Sequence, residues 1–137
     1  MIYSNDNLNK KNETKLFELF KLSFELNNFN YANKSLSLLL RMNLSIRLLY
    51  DLLVYIDFIY NNDLLKQLEL LIIKEQNIEL LKYFLFTLIK QNFINQSFNH
   101  LEFYIHQFPY KDDDQLQSLF KLLNAKINTK QEAIIND

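Results

Sequence analysis

The chain has 137 residues, 49% of them hydrophobic, with 15 lysines and arginines against 16 acidic residues. This length suits one domain with a sizeable core, and the balanced charge offers no long-range attraction for nucleic acid or an anionic membrane. Cysteine and glycine are both absent. The first absence excludes disulfides, thiolate nucleophiles and zinc–thiolate sites, and the second excludes the usual phosphate-binding loops and nucleophile elbows.

Signals for export or membrane insertion are also missing from the pattern. Residues 1–13 are polar, without the apolar segment of a secretory signal. The longest uncharged apolar run, residues 83–89, is far shorter than the ~20 residues that a membrane span requires. We expect a cytoplasmic protein, with the nucleus as the alternative compartment.

Seven segments repeat apolar residues at helical spacing, separated by short breaks rich in asparagine or aspartate. They cover about residues 13–26, 31–42, 46–60, 63–76, 78–91, 95–107 and 112–127. Valine occurs once, and the glycine turns of β-hairpins are missing. The sequence predicts an all-α fold of about seven antiparallel helices, as a helical-hairpin bundle or a short α-solenoid, over residues 13–127. Residues 1–12 and 128–137 are predicted to be flexible ends.

The first five segments differ in how much apolar surface they present. The first has a wide apolar face, formed by Leu16, Phe17, Leu19, Phe20, Phe24 and Leu26. The second is predicted to turn Ala32, Leu36, Leu39 and Leu40 inward. The third and fifth are apolar on nearly all sides, so we expect neighbours to cover them. On the fifth, the predicted wet side carries Glu79, Lys82 and Lys90.

The last two segments have clearer ends. The sixth places Phe98, Leu101, Tyr104, Ile105 and Phe108 at core spacing and is predicted to end before Pro109. The seventh opens with three aspartates and has one stripe, formed by Leu116, Leu119, Phe120 and Leu123. Because glycine is absent, asparagine is expected to cap the helix C-termini. The candidates are Asn27, Asn28, Asn43, Asn61, Asn62 and Asn92.

The residues that could carry chemistry are few. Glu102 and His106 are four residues apart on one helical face, a spacing that can serve a metal, but Asn99 and Asn95 occupy the next positions of that face. We therefore predict a solvated pair, and we predict that His100 is a partly packed ring.

Asp112, Asp113 and Asp114 could suggest calcium, but no glycine turn or terminal glutamate follows, so helix capping is the better interpretation. The sequence has no elbow motif that would present the nucleophile of a catalytic triad, and no pair of carboxylates is distinguished by its position. The sequence predicts no catalytic, metal-binding or cofactor-binding residue, and thus a protein that is not an enzyme. The alternative is a small enzyme with two acids in a polar cleft.

Four helical tyrosines, Tyr50, Tyr55, Tyr60 and Tyr104, lack the surrounding lysines and arginines that base stacking needs. We interpret them as core or interface residues whose hydroxyls reach the surface. Phenylalanine and tyrosine are abundant enough that some apolar surface is expected to stay exposed, and such surface usually marks a docking site. The sequence predicts a protein partner bound as a helix in a groove, at a face that it does not identify.

Residues 16–71 resemble the C-terminal helical domain of the regulatory, non-catalytic subunit of katanin, the microtubule-severing complex. The resemblance rests on Phe24, Asn27, Asn28, Phe29, Ala32, Met42, Leu44, Ser45, Ile46, Asp51, Leu52, Leu53, Leu68, Glu69 and Leu70. It covers under half the chain. It implies a non-enzymatic subunit that binds the N-terminal helical region of an AAA ATPase and helps to target microtubule severing.

Two other families are similar. The run Leu39, Met42, Leu44, Ser45, Leu48, Leu49, Leu52 and Val54 is similar to the helical N-terminal domain of transcription elongation factor S. That family has Thr at position 52 and Gly at position 55, where this chain has Leu52 and Tyr55. Phe29 and Tyr31 resemble a turn in the helical domains of small-subunit processome proteins. All three families are protein-binding modules.

Overall fold

The computed structural model describes residues 2–56, 59, 61–91 and 96–136, and the side chains of residues 12–56, 59, 61–91 and 96–129. Within these ranges the chain forms seven α-helices and no strand, which confirms the predicted all-α fold. The helices are α1 (Ile2–Glu25), α2 (Phe29–Leu40), α3 (Ile46–Leu53), α4 (Asn62–Glu75), α5 (Ile78–Lys90), α6 (Asn99–Ile105) and α7 (Asp114–Asn136). A 3-10 turn, Tyr110–Asp112, precedes α7.

The chain divides into two compact units, residues 1–45 and residues 46–137, where the sequence predicts one helical domain. The first unit is a hairpin of α1 and α2. The Glu13 carboxylate accepts a hydrogen bond from the Ser45 N–H at 2.9 Å, which holds the segment after α2 beside the middle of α1. All four residues predicted to face inward from α2 are buried: Ala32, Leu36, Leu39 and Leu40.

The second unit stacks its helices in two layers. Helices two apart in the chain lie side by side: α3 with α5, α5 with α7, and α4 with α6. α5 and α7 are parallel, because Lys82 near the start of α5 pairs with Asp113 before α7, while Lys126 of α7 reaches the Ile89 and Gln91 carbonyls at the end of α5. This layering of every second helix agrees with the predicted short stack of hairpins.

At two junctions between helices, one residue ends the first helix and the asparagine after it begins the next helix. Asn27 has φ 56° and closes α1, with the Asn28 N–H donating to the Ser23 carbonyl at 2.8 Å. The Asn28 side chain then accepts from the Tyr31 N–H at the start of α2. Between α4 and α5, Gln76 takes the left-handed conformation, and the Asn77 side chain caps α5. The asparagine rule is confirmed at Asn27, but Gln76 replaces it at the second junction.

Two other helix ends are closed by long side chains of α7. Lys126 donates to the last carbonyls of α5, and Gln117 Nε2 donates to the Ile105 carbonyl of α6 at 2.8 Å. These side chains satisfy carbonyls that a glycine cap would otherwise serve. Asn61, predicted as a cap of a helix C-terminus, instead caps the start of α4, and Asn92 lies outside the described residues.

The predicted end of the third segment is wrong. α3 ends at Leu53 instead of continuing to residue 60; Val54 is 64% exposed, and residues 57, 58 and 60 lie outside the described part. A segment that is apolar on all sides has no change of pattern to mark its end, which explains the error. The fifth segment was predicted to be covered on its apolar sides, yet Phe86 of α5 is 46% exposed.

The sixth segment forms a helix only over Asn99–Ile105, and its predicted start at Asn95 is outside the described residues. Phe98, Leu101 and Ile105 are buried as predicted. Tyr104 and Phe108 are exposed instead. Phe108 lies past the end of α6, so helical spacing does not place it on the buried face.

The terminal helices are longer than the pattern predicts. α1 begins at Ile2 instead of near residue 13, and α7 continues to Asn136 instead of ending near residue 127. The apolar pattern does not mark these segments because both are mostly polar, and polar residues give no amphipathic stripe. Among the described residues, no helix is both long enough and apolar enough to cross a bilayer.

Candidate functional site: a tyrosine groove

Large apolar side chains remain on the surface of both units. Those more than about a third exposed are Leu19, Leu22, Leu26, Phe29, Tyr31, Leu38, Ile46, Val54, Leu70, Phe86, Phe103, Tyr104, Phe108 and Leu122. This agrees with the expected excess of apolar residues over what the interior holds. Most of these side chains lie singly or along one helix, whereas a docking site needs several helices that bring apolar and polar groups together.

One open groove in the second unit does so, along the layer of α3, α5 and α7. We call it the tyrosine groove; it encloses about 390 Å³. Its lining residues are Tyr50, Glu79, Lys82, Tyr83, Phe86, Gln115 and Leu119.

The helical spacing of α5 explains four of the seven lining residues. Glu79, Lys82, Tyr83 and Phe86 stand at positions i, i+3, i+4 and i+7, which share one helical face. Gln115 and Leu119 are likewise four residues apart on α7. Because α5 and α7 are parallel and adjacent, the two faces meet in one channel.

Tyr50 of α3 closes the third side of the groove. Its ring meets the Tyr83 ring edge-to-face, with ring centroids 5.4 Å apart and planes at 61°. Both rings are half-buried, so their apolar bodies pack while part of each ring faces the groove. The prediction that Tyr50 is a core or interface residue agrees with this position. Tyr55 is also half-buried, and Tyr60 lies outside the described residues.

A lysine and two carboxylates set the charge at one end of the groove. Lys82 Nζ lies 3.2 Å from Asp113 Oδ2 and 3.7 Å from Glu79 Oε1. The Lys82 side chain is only 17% exposed, whereas that of Glu79 is 79% exposed. Lys82 is therefore held mainly by Asp113, and Glu79 keeps most of its surface in solvent.

The other end of the groove is apolar. Phe86 is 46% exposed, and Lys90 stands over its ring at 4.7 Å from the centroid. Leu122 follows Leu119 by three residues on α7, so it continues the same helical face, and it is 58% exposed. The groove thus runs from a charged end near the starts of α5 and α7 to an apolar end one to two turns further on.

The predicted capping role of the aspartates before α7 is confirmed for Asp113. Its carboxylate accepts a hydrogen bond from the Leu116 N–H at 2.9 Å, the position of an N-cap. This hydrogen bond, followed by Lys82, holds the pKa of Asp113 below its ordinary value. Within the described residues no group of three or more histidines and acids is placed to hold a metal ion.

The two histidines have separate partners. The His106 ring packs edge-to-face on Phe120 at 6.0 Å, while Glu102 is exposed on α6. His100 Nδ1 lies 3.6 Å from Glu69 Oε1 of α4. His100 is 64% exposed in its side chain, so the prediction of a partly packed ring holds only for its Nδ1 side.

Glu69 is a buried polar residue for which the sequence predicted no structural or functional role. Its side chain is 2% exposed, it interacts with His100 and with the backbone of Leu101, and its Oε2 is buried without a hydrogen-bond partner among the described residues. Burial raises the pKa of this carboxyl group. Phe98, at the N-cap position of α6, offers no side-chain cap, so Glu69 supplies that function from a neighbouring helix. Its place between two leucines was the only available signal.

A second open feature, similar in volume, lies within the first unit. Asn12, Lys15, Leu16, Leu38 and Met42 line an open hollow of about 430 Å³ between α1 and α2. It has one charged side chain and no aromatic ring, so it offers fewer specific contacts than the tyrosine groove.

No protein family model, no curated protein and no solved structure matches this chain.

Proposed function

We propose that this protein is a non-enzymatic helical interaction module that holds a segment of another protein in the tyrosine groove. The observation that carries the proposal is the meeting of three helices around an open channel with an exposed phenylalanine, two half-buried tyrosines and a polar end. Stacked helical hairpins use such layer surfaces to bind extended or helical segments.

The lining favours a protein segment over a small molecule. Aromatic residues dominate the energetics of protein interfaces, and Tyr50, Tyr83 and Phe86 all line the groove. Small-molecule sites are usually more enclosed and bury most of their ligand. An open channel continued by Leu122 suits the apolar stripe of an amphipathic helix.

The most specific form of the proposal is a katanin-regulatory-like subunit whose partner is the N-terminal helical region of an AAA ATPase. It rests on the sequence resemblance over residues 16–71, which includes Tyr50 but none of the other groove residues. The transcription-elongation and ribosome-assembly roles are the alternatives, and both also place a protein segment on a helical domain. In each case we propose a cytoplasmic or nuclear protein.

The test compares two equally exposed apolar residues. Phe86 lies in the groove and Leu70 lies on α4 in the other layer, and both are 46% exposed. We would capture partners from an extract of the source organism with the wild-type chain, Phe86→Ser and Leu70→Ser, after circular dichroism shows equal helicity. We expect Phe86→Ser to weaken retention about tenfold, as for an interface residue worth ~1.4 kcal/mol, and Leu70→Ser to leave it unchanged.

Equal retention by both variants would contradict the groove as the docking site. The identity of the specifically lost partner then separates the narrower roles. An AAA ATPase supports the katanin-like form, whereas elongation or ribosome-assembly proteins support the alternatives.

A further inference from the structure

The charged end of the tyrosine groove has more carboxylate groups than ammonium groups. Among Glu79, Lys82 and Asp113 the formal charge is −1, because two carboxylates face one ammonium. Lys82 is closest to Asp113, at 3.2 Å, which leaves Glu79 loosely paired at 3.7 Å and largely solvated. A cation approaching Glu79 therefore meets an underused carboxylate beside a lysine whose charge is already balanced.

The groove wall next to this carboxylate is aromatic and polar. The Tyr83 side chain lies one helical turn from Glu79 on the same face of α5, and Tyr50 contacts it across the groove. Aromatic faces attract cations, and a phenol oxygen or the carboxamide oxygen of Gln115 can accept a hydrogen bond.

Of the protein side chains, arginine matches this set best. Its guanidinium is planar, stacks on aromatic rings, carries five donors and has no acceptor. A lysine ammonium is a compact, strongly hydrated charge that lies less well against a flat ring. Lys90 over Phe86 shows that the chain itself already places one cation on an aromatic ring of this groove.

We propose that the tyrosine groove recognises an arginine side chain of the partner segment, with the guanidinium between Tyr83 and Glu79 and an apolar neighbour over Phe86 and Leu119. This inference rests on the proposed interaction function and specifies its partner. The partner segment would carry an arginine about two helical turns from a leucine or aromatic residue, the separation of Glu79 from Phe86 along α5.

The direct test uses N-acetyl-arginine methylamide as the probe and the full isotope-labelled chain observed by NMR. N-acetyl-citrulline methylamide is the matched control, because it has the same shape without the charge. We expect saturable shifts at Glu79, Tyr83 and Gln115 with arginine and much weaker ones with citrulline. Equal shifts with citrulline, equal affinity for N-acetyl-lysine methylamide, or no shift at the solubility limit of the probe would each overturn the assignment.

Two variants locate the binding. Glu79→Gln should weaken arginine binding about two- to fivefold, the range for a solvent-exposed ion pair. Tyr83→Leu should weaken it about threefold by removing the ring while keeping apolar bulk. Glu102→Gln, an exposed carboxylate on α6, is the control and should bind as the wild type does. Unchanged arginine binding by Glu79→Gln would contradict the proposed position of the guanidinium beside Glu79.

Failure here is distinguishable from failure of the interaction function. If Phe86→Ser releases the captured partner but the arginine and citrulline probes behave alike, the groove still docks a protein and only the arginine assignment falls. If the probe binds as expected while Phe86→Ser retains its partner, the groove recognises arginine but the partner docks elsewhere.

Discussion

The Glu69 carboxylate shows how one side chain can cap a helix and still cost stability. One oxygen lies near His100, and the other is buried without a partner in the described part of the chain. Because burial disfavours the charged form, the pKa of Glu69 is raised in the folded protein, although His100, the Leu101 backbone and Lys66 oppose that shift. The folded state therefore binds this proton more tightly than the unfolded state does.

The consequence is a pH-dependent stability with a definite sign. Glu69 contributes stability that is fully present below its unfolded pKa, near 4.5, and that is lost as pH rises through the folded pKa. Within that window the free energy of unfolding should fall by up to about 1.4 kcal/mol per pH unit. Glu69→Gln should remove this slope and gain on the wild type as pH rises, as measured by urea unfolding.

The comparison needs two controls because His100 contacts the Glu69 carboxylate. Making both measurements in a His100→Asn background isolates the carboxyl group. Glu102→Gln, at an exposed acid of α6, is the control for the loss of one carboxylate from the chain. An identical profile for wild type and Glu69→Gln would show that the raised pKa has no effect on folding.

At the scale of the helices, α7 stabilises its neighbours by closing their ends. Lys126 donates to two carbonyls at the end of α5, where a cation also complements the helix dipole. Lys126→Met keeps the aliphatic stem but removes the charged donor, so it should lower the free energy of unfolding by about 2 kcal/mol. Thermal unfolding of Lys126→Met and of Lys121→Met, at an exposed position of α7, measures the difference.

The outcome separates two roles for the lysine. A loss confined to Lys126→Met supports the capping contact, and equal stability of both variants contradicts it. Lys126→Arg should recover part of the loss, because a guanidinium retains the charge and the donors.

The helices themselves were largely predictable, but their ends were less so. Periodicity placed Leu36, Leu116 and Phe120 in the interior and the start of α5 at residue 78, because these depend on local spacing. The ends of α5 and α6 depend on side chains 12 to 37 residues away, so no local pattern could reveal them.

The same reasoning applies to the candidate site. The sequence identified Glu79, Lys82 and Lys90 as the wet side of the fifth segment, and the groove lies partly on that side. It did not identify Tyr50 or Gln115 as their neighbours, because these approach only when α3, α5 and α7 stack side by side. Pairing of helices distant in sequence is a property of the whole unit.

At the scale of the whole molecule, the division at residue 45 gives an expectation for folding. The described part of residues 46–137 contains five α-helices with their own core, whereas the described part of residues 1–45 forms a hairpin with one helix–helix interface. A hairpin of that size buries too little surface to be stable alone. We expect a fragment of residues 46–137 to be helical and to unfold cooperatively, and a fragment of residues 1–45 to be mostly unfolded.

Circular dichroism and thermal unfolding of the two fragments check this expectation. Absence of a cooperative transition in residues 46–137 would mean that the second unit requires the first. A stable isolated hairpin would mean that α1 and α2 bury more surface than a single interface implies.

The position of Gln76 at the end of α4 would be more stable with glycine, a residue that the chain does not contain. It holds φ 54°, ψ 37°, a conformation that costs a residue with a β-carbon about 1 kcal/mol and costs glycine almost nothing. Gln76→Gly should therefore raise the melting temperature, whereas Glu75→Gly, one residue earlier in α4, should lower it. Groove variants made in the Gln76→Gly protein would be more stable, so a loss of binding could be distinguished from a loss of folding.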